Sequence, residues 1–141
     1  MIGVDTNVIL NVLRKDDPLL HKKGSLEFFR SAQHKKIDLA ISVITLTELF
    51  RKPFRDNSRE EKQKVDSFLH LINAKTIIIS NDSAIDAARL IEELGVKFAD
   101  ALIAASLDFA DIKTFVTRNI DDYKKTNLEV LTPEEFIKKY C

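Results

Sequence analysis

Residues 2–13 read Ile2-Gly3-Val4-Asp5-Thr6-Asn7-Val8-Ile9-Leu10-Asn11-Val12-Leu13, and the hydrophobic period changes in the middle of them. Ile2–Val4 is a short apolar run of strand type, whereas Val8, Ile9, Val12 and Leu13 recur at helical spacing. The polar residues Asp5, Thr6 and Asn7 therefore sit where a strand hands over to a helix.

The same alternation runs down the chain. Pro18 is expected to open a second helix at its first position, with Leu19, Leu26, Phe29 and Ala32 as its apolar stripe. Residues 38–42 (Asp-Leu-Ala-Ile-Ser) read as a buried strand, and a helix follows from about Thr45 until Pro53 should break it. Ser58 to about Ile72 is helical and turns Val65, Phe68, Leu69 and Ile72 inward. Thr76–Ile79 is a β-branched strand, and a helix from Asp82 to Leu94 is ended by Gly95. An alanine-rich helix follows from Phe98 to about Ala110, then short strands at Thr114–Thr117 and Leu128–Leu131. Thr132-Pro133-Glu134-Glu135 supplies an N-cap, a proline at the first helical position and a capping-box glutamate for a last helix. The expected fold is α/β: one domain over residues 1–141, with a central parallel sheet of about five short strands flanked by helices.

Composition narrows the chemistry. A length of 141 residues with 45% hydrophobic content suits one domain with a full core. The single cysteine, Cys141, excludes an internal disulfide and a cysteine zinc site. His21, His34 and His70 share no metal-ligand spacing, and there is no Gly-rich phosphate loop. No signal peptide or membrane span is read, so the cytoplasm is the expected location. Formal charge is zero, but it is unevenly spread. Residues 14–36 carry a net +4 and residues 49–64 a net +3, whereas residues 80–111 carry a net −5. Such runs are either solvated helix faces or the rim of a phosphate-binding surface.

In parallel α/β sheets, ligands bind beyond the carboxyl ends of the strands, near the reversal of strand order. Asp5, Glu48, Asp100 and Asn119 are placed to meet on one such rim. Each also has an ordinary structural explanation. Asp5 fits a helix cap, Glu48 a capping box with Thr45, Asp100 the acid-favouring first turn of a helix, and residues 117–122 a polar turn. Capping does not require acids, however, and clustered carboxylates repel unless a cation compensates. A hard divalent ion with oxygen ligands is the natural compensation.

Four segments carry a family resemblance: Val4-Asp5-Thr6-Asn7-Val8-Ile9-Leu10, residues 41–49 from Ile41 to Leu49, residues 98–105 from Phe98 to Ala105, and Val116-Thr117-Arg118-Asn119. They resemble, in order and spacing, the four motifs of PIN-domain nucleases, and within that family the small VapC-type toxins of toxin–antitoxin pairs. The resemblance implies a PIN-like fold and a ribonuclease using Mg²⁺ or Mn²⁺ held by Asp5, Glu48 and Asp100. It further implies that Thr6, Asn7 and Thr117 support those acids. The family's fourth position usually carries an acid and here is Asn119, with Asp122 or Asp121 as the candidates to supply the missing charge. RNA, an antitoxin protein and a second copy of the chain are the partners so implied. Arg51, Lys52, Arg55 and Arg59, which follow Glu48, are candidate contacts to the RNA backbone, or else a solvated basic turn. The segment Leu49–Phe54 is a candidate apolar groove for the antitoxin, unless Phe50 and Phe54 belong to the core. The competing readings are a solitary RNA-processing nuclease and a non-catalytic binding module. A receiver domain or haloacid-dehalogenase-type phosphatase needs a second acid beside Asp5, where Thr6 and Asn7 stand.

Overall fold

The computed structural model describes all 141 residues. In chain order the elements are β1 (Ile2–Val4), α1 (Thr6–Leu13), α2 (Leu19–His34), β2 (Leu39–Ser42), α3 (Val43–Arg55), α4 (Arg59–Leu71), β3 (Lys75–Ile77), α5 (Asn81–Leu94), α6 (Phe98–Phe109), β4 (Thr114–Val116), α7 (Ile120–Tyr123), β5 (Glu129–Leu131) and α8 (Pro133–Tyr140). The five strands form one sheet in the order β3-β2-β1-β4-β5, and every neighbouring pair is parallel. The chain builds outward from β1 to β3 on one side, then returns to add β4 and β5 on the other. Strand order thus reverses between β1 and β4, which opens a crevice at their carboxyl ends.

Side chains alternate across the sheet and feed two cores. Ala40 and Phe115 face one side, where they pack with Ala101, Ile103, Ala104 and Leu107 of α6. Val4, Leu39, Ile41 and Val116 face the other, with Val8 and Ile9 of α1, Phe28 and Phe29 of α2, and Phe136 of α8. Covering both faces gives the continuous burial seen in β2, where all four residues are buried.

Local signals placed most boundaries. Gly95 ends α5 at φ 71°, a left-handed conformation that glycine adopts without a Cβ penalty. Thr132 and Glu135 form the expected capping box at the start of α8. Five readings need correction. The α3 helix starts at Val43, because Ser42 caps it by accepting from the Ile44 N–H at 3.1 Å. Pro53 does not break α3: it lies in the last turn, costs one backbone hydrogen bond, and the helix ends two residues later. Pro18 is the N-cap residue of α2 rather than its first helical residue, and Leu19 is 78% exposed rather than part of the stripe. The edge strand β3 occupies Lys75–Ile77, leaving Ile78 and Ile79 outside it. The segment read as a polar turn contains the short helix α7.

Candidate functional site

Asp5 stands directly after β1, on the floor of the crevice. Its backbone N–H donates to the Val116 carbonyl of the neighbouring strand at 2.9 Å, which fixes its height relative to Thr117. Its carboxylate does cap α1, accepting from the Thr6 N–H at 2.8 Å. That role uses only Oδ1. Oδ2 accepts from the Thr117 hydroxyl at 2.7 Å and from the Asn7 amide at 3.2 Å. The carboxyl is 5% exposed and its pKa is pushed up to about 6. Burial is the main cause, with Glu48 and Asp100 adding to it, and the bonds from Thr117 and Thr6 opposing it.

Glu48 does not serve as a capping-box residue, since Ser42 caps the helix and Glu48 lies well inside it. Its Oε1 instead accepts from the Thr6 hydroxyl at 2.7 Å, across from α1. Asp100 lies in the first turn of α6, and its Oδ1 accepts from the Tyr123 hydroxyl at 3.0 Å. Burial raises the Asp100 pKa, Asp122 and Glu48 raise it further, and Tyr123 and Lys97 lower it. The three acids are therefore close enough to feel one another, although separated by 43 and 52 residues of chain.

The fourth position differs from its neighbours. Asn119 is exposed, and its backbone N–H donates to the Thr117 hydroxyl at 3.0 Å. Asp122 is the acid that faces Asp100, and Lys97 pairs with it at 3.3 Å. Asp121 points to solvent and pairs with Lys124 at 3.4 Å. Of the candidate basic contacts, Arg51, Lys52 and Arg55 line an open groove of about 1020 Å³ that also contains Thr6 and Glu48. Arg59 does not line it. Phe50 is partly buried against the core, while Phe54 is 66% exposed in that groove.

Several residues escaped the sequence reading. Arg14 lines the same groove from the end of α1. Arg118 donates through Nε to Asn11 at 3.0 Å, through one terminal nitrogen to both Glu134 oxygens at 2.9 and 2.7 Å, and through the other to the His21 carbonyl and the Ser25 hydroxyl. Its backbone N–H donates to Asn7 at 3.0 Å, so this clamp ties α1, α2 and α8 to the loop carrying Thr117. Gly24 makes room for it, because a Cβ there would collide with the Glu134 carboxylate. Tyr123 belongs to the site through Asp100. The only prior signal for any of these was that Arg118 lies inside the segment Val116–Asn119, where no role was assigned to it.

The PIN domain family model matches residues 2–127. The chain belongs to the PIN domain family. Solved structures share the fold over nearly their whole length. A toxin–antitoxin complex from Klebsiella pneumoniae is 24% identical with a TM-score of 0.70, covering 96% of this chain and 99% of that one. FitAcB from Neisseria gonorrhoeae is 22% identical with a TM-score of 0.73, covering 94% and 98%. VapBC2 from Rickettsia felis, bound to a DNA fragment from its promoter, is 25% identical with a TM-score of 0.71, covering 94% and 98%. No curated protein matches the chain significantly.

In this PIN domain no three acidic, histidine or cysteine side chains form a closed ligand set as they stand. The donor chemistry nevertheless suits a hard cation. Glu48 and Asp100 each keep one oxygen free of protein hydrogen bonds, and the charges of neighbouring acids push the Asp5 and Asp100 carboxyls up. No helix is long and apolar enough to cross a membrane.

Proposed function

We propose that this PIN domain is a metal-dependent endoribonuclease, the toxin of a toxin–antitoxin pair. The observation that carries the reading is the gathering of Asp5, Glu48 and Asp100, from three separate segments, at the crevice where strand order reverses. Asp5, Glu48 and Asp100 would hold Mg²⁺ or Mn²⁺. Such an ion supplies Lewis-acid polarisation of a phosphate and a lowered pKa for bound water. The chain's own residues prepare the site: Thr117 and Asn7 fix the Asp5 carboxylate, Thr6 fixes Glu48, and Tyr123 fixes Asp100. Arg14, Arg51, Lys52 and Arg55 guide the ribose-phosphate backbone along the groove toward Glu48. Water attacks the phosphorus, the bond to the 3′ oxygen breaks, and that oxygen leaves as a hydroxyl opposite a 5′-phosphate.

The toxin assignment is supported by full-length likeness to VapBC2 from Rickettsia felis and by a fold shared with a toxin–antitoxin complex from Klebsiella pneumoniae. An antitoxin is then the protein partner, with exposed Phe54 beside the site as a seat for an amphipathic helix. A second copy is the other partner, and the exposed Ile85 and Phe98 give α5 and α6 an apolar surface for it. Asn119 favours a second reading, a PIN domain that binds without cutting, because the fourth position carries no charge. Cleavage of a mixed single-stranded RNA with Mg²⁺, Mn²⁺ or EDTA separates the two. Cutting that needs the metal, leaves 5′-phosphate ends and falls on the order of 10²–10³-fold in Asp5→Asn supports the nuclease. Full activity in EDTA or in Asp5→Asn removes it.

A further inference from the structure

Tyr123 lies on the single turn of α7, 1% exposed, with its ring packed edge-on against Phe115 of β4 at 4.8 Å. That packing accounts for an aromatic ring at this position. It does not account for the hydroxyl, which a phenylalanine would lack at no loss of buried area. A buried phenol needs a polar partner, and the one hydrogen bond it makes is to Asp100 Oδ1 at 3.0 Å. Resting on the nuclease reading above, we propose that Tyr123 is a positioning residue for Asp100, holding one carboxylate oxygen so that the other is presented to the divalent ion.

The pattern across the site supports this. Each of the three acids receives one side-chain hydroxyl: Asp5 from Thr117, Glu48 from Thr6 and Asp100 from Tyr123. Thr6 and Thr117 lie inside the four motif segments, whereas Tyr123 arrives from α7, 23 residues beyond Asp100. Tyr123 completes the set. The hydroxyl donates to Asp100 Oδ1, and α7, itself anchored to β4 through the ring stack, sets its direction. Groups that orient metal ligands from outside typically account for about 10–100-fold in metal affinity.

Tyr123→Phe deletes this hydroxyl and keeps the ring. Mn²⁺ binding by calorimetry and thermal unfolding of the metal-free protein, each on wild type and variant, test the role. Mn²⁺ affinity should drop about 10–100-fold, with the metal-free Tm nearly unchanged. RNA cleavage lost at limiting Mn²⁺ should return as Mn²⁺ is raised, with KM for RNA unaltered. Affinity within twofold of wild type overturns the proposal and leaves the metal site intact. Weaker binding matched by a collapse of the metal-free Tm overturns it in favour of a purely structural hydroxyl. Wild type that binds no Mn²⁺ removes the metal reading itself, and this role with it. A second variant fixes the partner: in an Asp100→Asn background, Tyr123→Phe should weaken Mn²⁺ no further, and an additional loss would show that the hydroxyl acts elsewhere.

Discussion

Asp100 carries a charge that the metal-free protein would be more stable without. Burial, Asp122 and Glu48 all disfavour its ionised form, and the bond from Tyr123 and the charge of Lys97 only partly offset them. Asn at this position keeps the oxygen that accepts from Tyr123 and turns the other atom into a donor facing neighbouring acids. Asp100→Asn is therefore expected to raise the Tm of the metal-free protein, by at most about 2–4 °C for a stability change near 1 kcal/mol once solvent screening is allowed for, and to lessen the further rise on adding Mn²⁺. An unchanged or lower metal-free Tm would count against mutual repulsion at the site. Glu134 behaves in the opposite way. Burial alone would raise its pKa, but the fork and charge of Arg118 outweigh it and hold the group below the usual range. Its folded pKa is depressed, so the stabilisation is present above the unfolded value and is lost as pH falls through the folded one. Glu134→Gln should cost about 1 kcal/mol at pH 7, discounted for its half-exposed side chain. Urea midpoints of the two proteins should converge on acidification, and a gap that does not narrow as pH falls would refute the assignment. The acids and the two threonines of the site were legible because they sit inside contiguous motifs. Tyr123 and the contacts made by Arg118 were not, since their partners lie 16 to 107 residues away and nothing local marks those side chains for such a role.

At the scale of elements, α3 sets the relation between the acidic cluster and the basic rim. It carries Glu48 near its middle, and Arg51, Lys52 and Arg55 in the groove beside it. Reversing charge at Arg51 and Arg55 should weaken RNA binding and flatten its dependence on salt, because fewer counterions are released on binding. A fluorescence titration over a range of salt checks this, and an unchanged slope would remove α3 from the RNA path. Helix periodicity made α3 legible, but its limits were not, because Ser42 both ends the strand and caps the helix, and Pro53 was weighted as an interior proline. The short helix α7 was hidden by its polarity: Asn119, Asp121 and Asp122 read as a turn, and a single helical turn has no periodicity to detect. The edge strand β3 was misplaced within a β-branched run whose burial alternates too weakly to fix its register.

For the whole molecule, the alternation of strand and helix made the parallel α/β class legible, whereas the order β3-β2-β1-β4-β5 was not, because pairing depends on contacts the sequence does not display. That order is what brings Thr117 next to Asp5. The last helix then locks the arrangement, with Phe136 of α8 1% exposed and packed edge-on against Phe28 at 5.2 Å. Phe136→Ala should cost about 3–5 kcal/mol of stability by equilibrium unfolding. A cost below about 1 kcal/mol would show that α8 is dispensable to the core. The central claim is that the fold assembles Asp5, Glu48 and Asp100 into one divalent-cation site. Calorimetric titration of Mn²⁺ into wild type and Asp5→Asn tests it most directly: saturable binding in wild type, lost in the folded variant, is the predicted result, and equal binding by both proteins, or none by either, would contradict it.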